Sequence, residues 1–330
     1  MLIRFFKSSF YSQYLLLLAI AAALWLRAVL DPCLYISTGQ ESIAFNMIHG
    51  IIGTQQYVSA ALALIILIVS AVLLNFVLIR HELLPKNSML GALVYVVLMG
   101  HSSMAVSLNP VLLSGLIVIP AFDQIMLTYG KADPTQEVFS ASFLLALASL
   151  IYFPAIILIL LLVLSLLVFQ TLSLRIFLVS FTGSFAVYLY LFLFYFLSDS
   201  MEGQFWLYIE WFTSLPEMSL PILSVDYLVW TMILLLFVTA LMHLYSQLNE
   251  GNISIRKKML LNLWFLLLAL ISLIFEGDML NIAVTFLAVP LTTILASYLA
   301  FRRQVSLWME LYIILLIVVI FVNNTVIASC

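Results

Sequence analysis

From Tyr57 to Ile79 the chain carries no charged residue, and the same holds from Val138 to Leu174 and from Ile176 to Ser198. Runs of this length and polarity constrain the fold more than any other feature. About 20 apolar residues in a helix cover the ~30 Å of hydrocarbon in a bilayer. Only a helix satisfies every backbone N–H and C=O of such a run without water or a partner strand. Across 330 residues, 65% are apolar and 8% are charged. A soluble domain typically has about 25% charged residues and cannot hide so much apolar surface in one interior. The reading is therefore an all-α, polytopic transmembrane helical bundle, with residues 1–330 forming a single integral membrane domain.

Apolar periodicity predicts spans near 14–30, 57–79, 89–107, 111–129, 176–198, 225–245, 259–275, 279–301 and 305–322. Arg4 and Lys7 precede an apolar run with Ala21, Ala22 and Ala23, a signal-peptide-like pattern. Because the run continues to Leu30, it reads as an uncleaved first span. The run from Val138 to Phe169 is too long for one ordinary span, and Pro154 interrupts it. Charge decides the matter, since cytoplasmic loops collect Lys and Arg. If 138–169 is a pair of short helices, eleven of the twelve Lys and Arg residues fall on the cytoplasmic side, Arg27 being the exception. Nine acids, among them Asp31, Glu41, Glu276 and Asp278, then fall on or near the outer side. The expectation is about 11 membrane segments, N-terminus in and C-terminus out, with outer loops 31–56 and 199–224. In the first, SIAFNMIHGII suggests a short amphipathic helix or turn; in the second, the aromatic and acidic mix suits an interfacial helix.

Several polar residues stand out against this apolar background. Arg27 and Asp31 are four apart and share a face where the first span leaves the membrane. They suit phosphate binding with a base or metal ligand, or a helix-end ion pair with Arg27 snorkelling. Glu41 and His49 share the first outer loop, and His101 and Asn109 flank the next outer turn. Histidine near a carboxylate serves acid–base chemistry; a solvated loop histidine is the plainer alternative. Glu276 and Asp278, around Gly277, would hold a divalent cation given a third ligand, or are ordinary turn residues. Asp123 lies inside the fourth span, where an acid is costly and marks a functional position by default. Its plainer reading is contact with water or Lys131 at the cytoplasmic end. Glu310 reads as structural, near Arg302 and Arg303. Cys33 and Cys330 lack metal-ligand spacing and read as small apolar residues, or as a pair if both face an oxidising side.

The chain has no P-loop, HExxH, GxSxG or paired haem histidines, which argues against nucleotide-driven pumping and redox carriage. The charge balance of −3 and the scarcity of basic residues argue against nucleic acid as a partner.

The stretches LIRHELLPKNSMLGALVYVVLMGHSS at 78–103, LNPVLLSGLIVIPAFDQIML at 108–127 and VFSASFLLALASLIYFPAIILILLLVLSLLVF at 138–169 resemble an uncharacterised family of bacterial polytopic inner-membrane proteins. The layout is more distantly similar to multi-span glycosyltransferases that take sugars from polyprenyl-phosphate donors. Asp31 sits where those enzymes carry their catalytic acid, Arg80 and Lys86 match their basic cytoplasmic turn, and ASFLLALASL with the Pro-containing run matches their short helix pair. The chain departs from them in having no outer Lys or Arg besides Arg27 and no acid paired beside Asp31.

The resemblance implies a bacterial cell-envelope protein of the inner membrane, working at its outer face on polyprenyl-linked sugars. Asp31 would then be the catalytic residue, Arg27, Glu41, His49 and His101 would bind substrate, and Glu276 and Asp278 would hold a divalent metal ion. Membrane lipids and another membrane protein are the other expected partners. The reading from a different class is a non-catalytic membrane subunit or a lipid or small-molecule transporter built around Asp123.

Overall fold

The computed structural model describes residues 2–8, 10–26, 30, 42–53, 55–101, 108–198, 224–250, 252–273, 280–302 and 306–327. Among them there is no strand, and eleven helices run ten residues or more. These are α1 (Tyr11–Leu24), α2 (Gln56–Arg80), α3 (Leu90–Met99), α4 (Pro110–Leu127), α5 (Thr135–Ile151), α6 (Leu158–Phe169), α7 (Leu174–Leu197), α8 (Ser224–Glu250), α9 (Ile253–Leu273), α10 (Ala288–Phe301) and α11 (Leu307–Val322). Five segments are long and apolar enough to cross a membrane: α2, α4, α7, Val284–Phe301 and Leu307–Thr325.

The centre of the bundle is α3. All ten of its residues are buried, with α2, α10 and α1 packed around it. At about 1.5 Å per residue it is some 15 Å long, half the thickness of a bilayer's hydrocarbon. The span expected over 89–107 is thus a much shorter helix, stopped at Gly100. Such a short element is tolerable at membrane depth because protein, not lipid, surrounds it.

Close packing rests on small residues, because lipid is as apolar as leucine and supplies no hydrophobic drive between helices. On α2 the buried stripe includes Ala60, Ala63, Ser70 and Ala71. Near its end, the Asn75 amide donates to the Ser88 carbonyl at 2.9 Å. A Cβ on Gly91 would lie 2.8 Å from Asn75 Oδ1, so any larger residue there would push the Asn75 amide aside. Likewise α7 rides on α5, where a Cβ on Gly183 would run into the Ser142 hydroxyl. The outward face of α7 carries exposed Phe177, Phe181, Phe185, Phe192 and Phe196, as suits a surface for lipid.

The run 138–169 is broken. Helix α5 ends at Ile151, Tyr152 is extended (φ −129°, ψ 101°), and a 3₁₀ turn over Phe153–Ile157 leads into α6. Pro154 has no N–H to offer the carbonyl four residues back, and the helix cannot continue through it.

Contacts between distant segments of the chain gather the helix ends into two sets. One holds the ends of α2, α4, α6 and α10 with the starts of α3, α5, α7, α9 and α11. Met89 N donates to the Phe6 carbonyl at 2.8 Å, Lys7 Nζ to the Arg302 carbonyl at 2.7 Å, and the Ser297 hydroxyl to the Leu83 carbonyl at 3.1 Å. The rings of Tyr129 and Phe169 meet edge to face, their centroids 5.3 Å apart. The other set holds the ends of α1, α3, α5 and α11, together with the starts of α4, α8 and the 280–301 segment.

Candidate functional site

The first set of helix ends is strongly charged. Arg80 closes α2 and His81 is its C-cap, while Asp123 sits on α4, a turn beyond Pro120. Both carboxylate oxygens of Asp123 accept hydrogen bonds: Oδ2 from Arg80 Nη1 at 2.7 Å and Oδ1 from His81 Nε2 at 2.7 Å. Asp123 and His81 are buried, whereas the Arg80 side chain is 45% exposed. A buried carboxylate needs such partners, since an unpaired charge there costs several kcal/mol. Lys258, on α9, donates to the His81 carbonyl at 3.2 Å. Three chain segments, the end of α2, α4 and the start of α9, thus meet at one triad.

The neighbouring charges pair locally. Lys131 holds Glu137 at 2.5 Å and Arg175 approaches Asp133 at 3.8 Å. The Thr135 hydroxyl, with the Arg175 guanidinium, holds the Asp133 carboxyl below its ordinary range. Lys131 therefore serves Glu137 and is not the partner of Asp123. Glu310 meets Arg4 at 3.8 Å.

The second set of ends is held by neutral groups. The Asn324 amide, just past α11, donates to the carbonyls of Leu24 (3.2 Å) and Gly100 (2.9 Å). That one side chain ties α11, α1 and α3 together. Asn109 caps α4 by accepting from Leu112 N at 2.7 Å. His101 is 2% exposed; its Nδ1 donates to the Leu98 carbonyl at 2.9 Å, and its ring meets Trp230 edge to face at 4.8 Å.

A short helix, Ile43–Ile48, runs into a π-helical turn, His49–Gly53. It sits on the end of α5, where the Ser42 hydroxyl donates to the Leu150 carbonyl and, at 3.0 Å, to that of Ile151. The reason lies in the break beyond. Pro154 cannot bond the Leu150 carbonyl, and Ala155 N bonds Tyr152 instead of Ile151. Ser42 supplies the missing donor. The His49 ring lies 5.7 Å from that of buried Phe45, and Tyr152 packs on Phe286 at 5.4 Å.

Of the residues singled out in the sequence, His49 and His101 belong to this neutral end and Asp123 to the charged end, so they do not form one site. Arg27, Asp31, Glu41, Glu276, Asp278, Cys33 and Cys330 lie outside the described residues. Among the described residues no three His, Cys, Asp or Glu side chains come together as a metal site. Sequence reasoning missed His81. Its signal is the Arg-His pair at a span's end, two positions able to reach an intramembrane acid from one turn.

Residues 41–329 match one protein family, described as "Family of unknown function (DUF6427)". No curated protein and no solved structure matches the chain.

Proposed function

The chain belongs to the DUF6427 family, and we propose that it is a multi-pass protein of the bacterial inner membrane, glycosyltransferase-like, acting on polyprenyl-linked sugars at the outer face. In this reading all eleven long helices cross the membrane or line its interior, with the charged end in the cytoplasm and the neutral end outside. The sorting of basic residues supports that orientation. The observation that carries the functional part is the seat of residues 42–53. A segment clamped by Ser42 onto a proline-broken helix pair makes a platform that follows Asp31 in the sequence. A lipid-linked donor reaches such a platform from the bilayer while its sugar stays in the aqueous layer. Asp31 would deprotonate the acceptor or hold a divalent cation, and Arg27 would contact the donor phosphate.

The test is deletion of the gene, with profiling of polyprenyl-linked sugars and surface glycans, and complementation by wild type or Asp31→Asn. A glycan defect restored by wild type and not by Asp31→Asn, at equal membrane levels, is the expected result. Unchanged glycans, or full rescue by the variant, would remove the enzyme reading. The second reading, a non-catalytic membrane subunit or lipid transporter, draws support from the Asp123 triad. Both carboxylate oxygens are occupied, an arrangement suited to holding helices together, which favours the subunit form of that reading.

A further inference from the structure

The first turns of α9 run Ile-Ser-Ile-Arg-Lys-Lys, and no acid stands in the first turn. This inverts the usual pattern. A helix N-terminus carries the positive end of the macrodipole and favours acids, so Arg256, Lys257 and Lys258 each raise the local potential there. None of the ion pairs among the described residues involves these three. Lys258 is only 8% exposed, yet its ammonium meets a backbone carbonyl, that of His81, and no carboxylate. The acid whose charge reaches it is Glu82, itself exposed. Lys257 and Lys258 both lie over the Tyr129 ring, at 5.9 and 5.7 Å from its centroid. Two like charges share one aromatic ring. Asp123, which lies near this turn, already serves Arg80 and His81.

We propose that this corner, between the start of α9, Tyr129 and the 81–86 turn, binds a phosphate group, that of an anionic phospholipid headgroup. A monoanionic headgroup at the end of the bundle would answer the excess charge of Lys257 and Lys258. It would also accept hydrogen bonds from Lys257 and from Arg256, which is exposed beside it. Tyr129 holds the two lysine ammonium groups together, and the Asp123 triad fixes the turn that carries His81. The inference needs only the contacts at this end and not the outer-face activity.

The full chain, purified into nanodiscs, tests it. Nanodiscs of phosphatidylcholine doped with phosphatidylglycerol would be compared for lipid retained on the protein, by native mass spectrometry. The proteins would be wild type, Lys257→Gln and Lys257→Gln/Lys258→Gln. Each lysine at the surface of an anionic leaflet changes headgroup affinity by about fivefold, so retained phosphatidylglycerol should fall by about that factor in the single variant and further in the double. Lys257 is only partly buried, so the single variant carries the test if loss of Lys258 prevents folding. A parallel arm adds inorganic phosphate. Competition by millimolar phosphate that also protects wild type against heat identifies free phosphate as the ligand, which upholds the site and reassigns its source. Equal phosphatidylglycerol retention in wild type and Lys257→Gln, with no protection by phosphate, would overturn the proposal.

Discussion

The two ends of the bundle solve the same problem with different chemistry. At one end, helices are tied by charges: Asp123 to Arg80 and His81, Lys131 to Glu137, Arg4 to Glu310. At the other they are tied by neutral side chains that supply donors to stranded carbonyls, Asn324 to Leu24 and Gly100, and Ser42 to Leu150 and Ile151. The difference follows from what each end has to hold. The charged end has loops with side chains of both signs available, so that the buried acids Asp123, Glu137 and Glu310 each meet a basic side chain that is itself partly exposed. The neutral end must finish helices that stop early, at Gly100 and before Pro154, and a stopped helix leaves carbonyls without partners. A serine or asparagine answers that need without burying an ion.

The contrast can be broken by substitution. Asp123→Leu strands His81 and half-buried Arg80 and should have the largest effect, a loss of about 3 kcal/mol. It should appear as a lower unfolding midpoint in detergent and a reduced yield of monodisperse protein. Asn324→Leu removes two hydrogen bonds and leaves two carbonyls orphaned, for a loss of about 2 kcal/mol. Its unfolding midpoint should shift equally at low and high salt, because no charge is involved. Ser42→Ala should cost about 1 kcal/mol, and the damage should be local: faster amide exchange in 43–53 with α5 unchanged. Arg4→Ala should be the mildest, within about 0.5 kcal/mol, because Arg4 is 67% exposed and its contact with Glu310 is long. What it does change should vanish as salt rises. A salt-sensitive Asn324 variant, or a silent Asp123 variant, would dissolve the distinction between the ends.

Much of the fold is legible in the sequence, and the reasons are specific. The charge-free runs and the demands of backbone in lipid leave helices as the only solution, and Pro154 marks the break in 138–169 because it lacks an N–H. Helix ends are less legible. The apolar run through 89–107 hides the stop at Gly100, since a helix buried on every side looks like a longer lipid-facing one. At α9 the error runs the other way: Arg256, Lys257 and Lys258 look like loop but are good helix formers and belong to its first turns. The site is less legible still. Asp123 stands out as an intramembrane acid, but its partners come from the end of α2, more than forty residues earlier in the chain. Spacing alone points to water or Lys131, because Lys131 is near in sequence, whereas the bundle brings α2 and α4 side by side. Ser42 carries no signal until Pro154 is seen to strand a carbonyl beside it.

The most direct measurement is the accessibility of single cysteines to a membrane-impermeant maleimide in intact cells, in a background with Cys33 and Cys330 replaced by serine. Gly50→Cys reports the neutral end and Lys86→Cys the charged end, and both positions are exposed. With the charged end in the cytoplasm and the neutral end outside, Gly50→Cys is labelled in intact cells and Lys86→Cys only after lysis. Labelling of Lys86→Cys in intact cells with protection of Gly50→Cys, or labelling of both, would contradict this orientation.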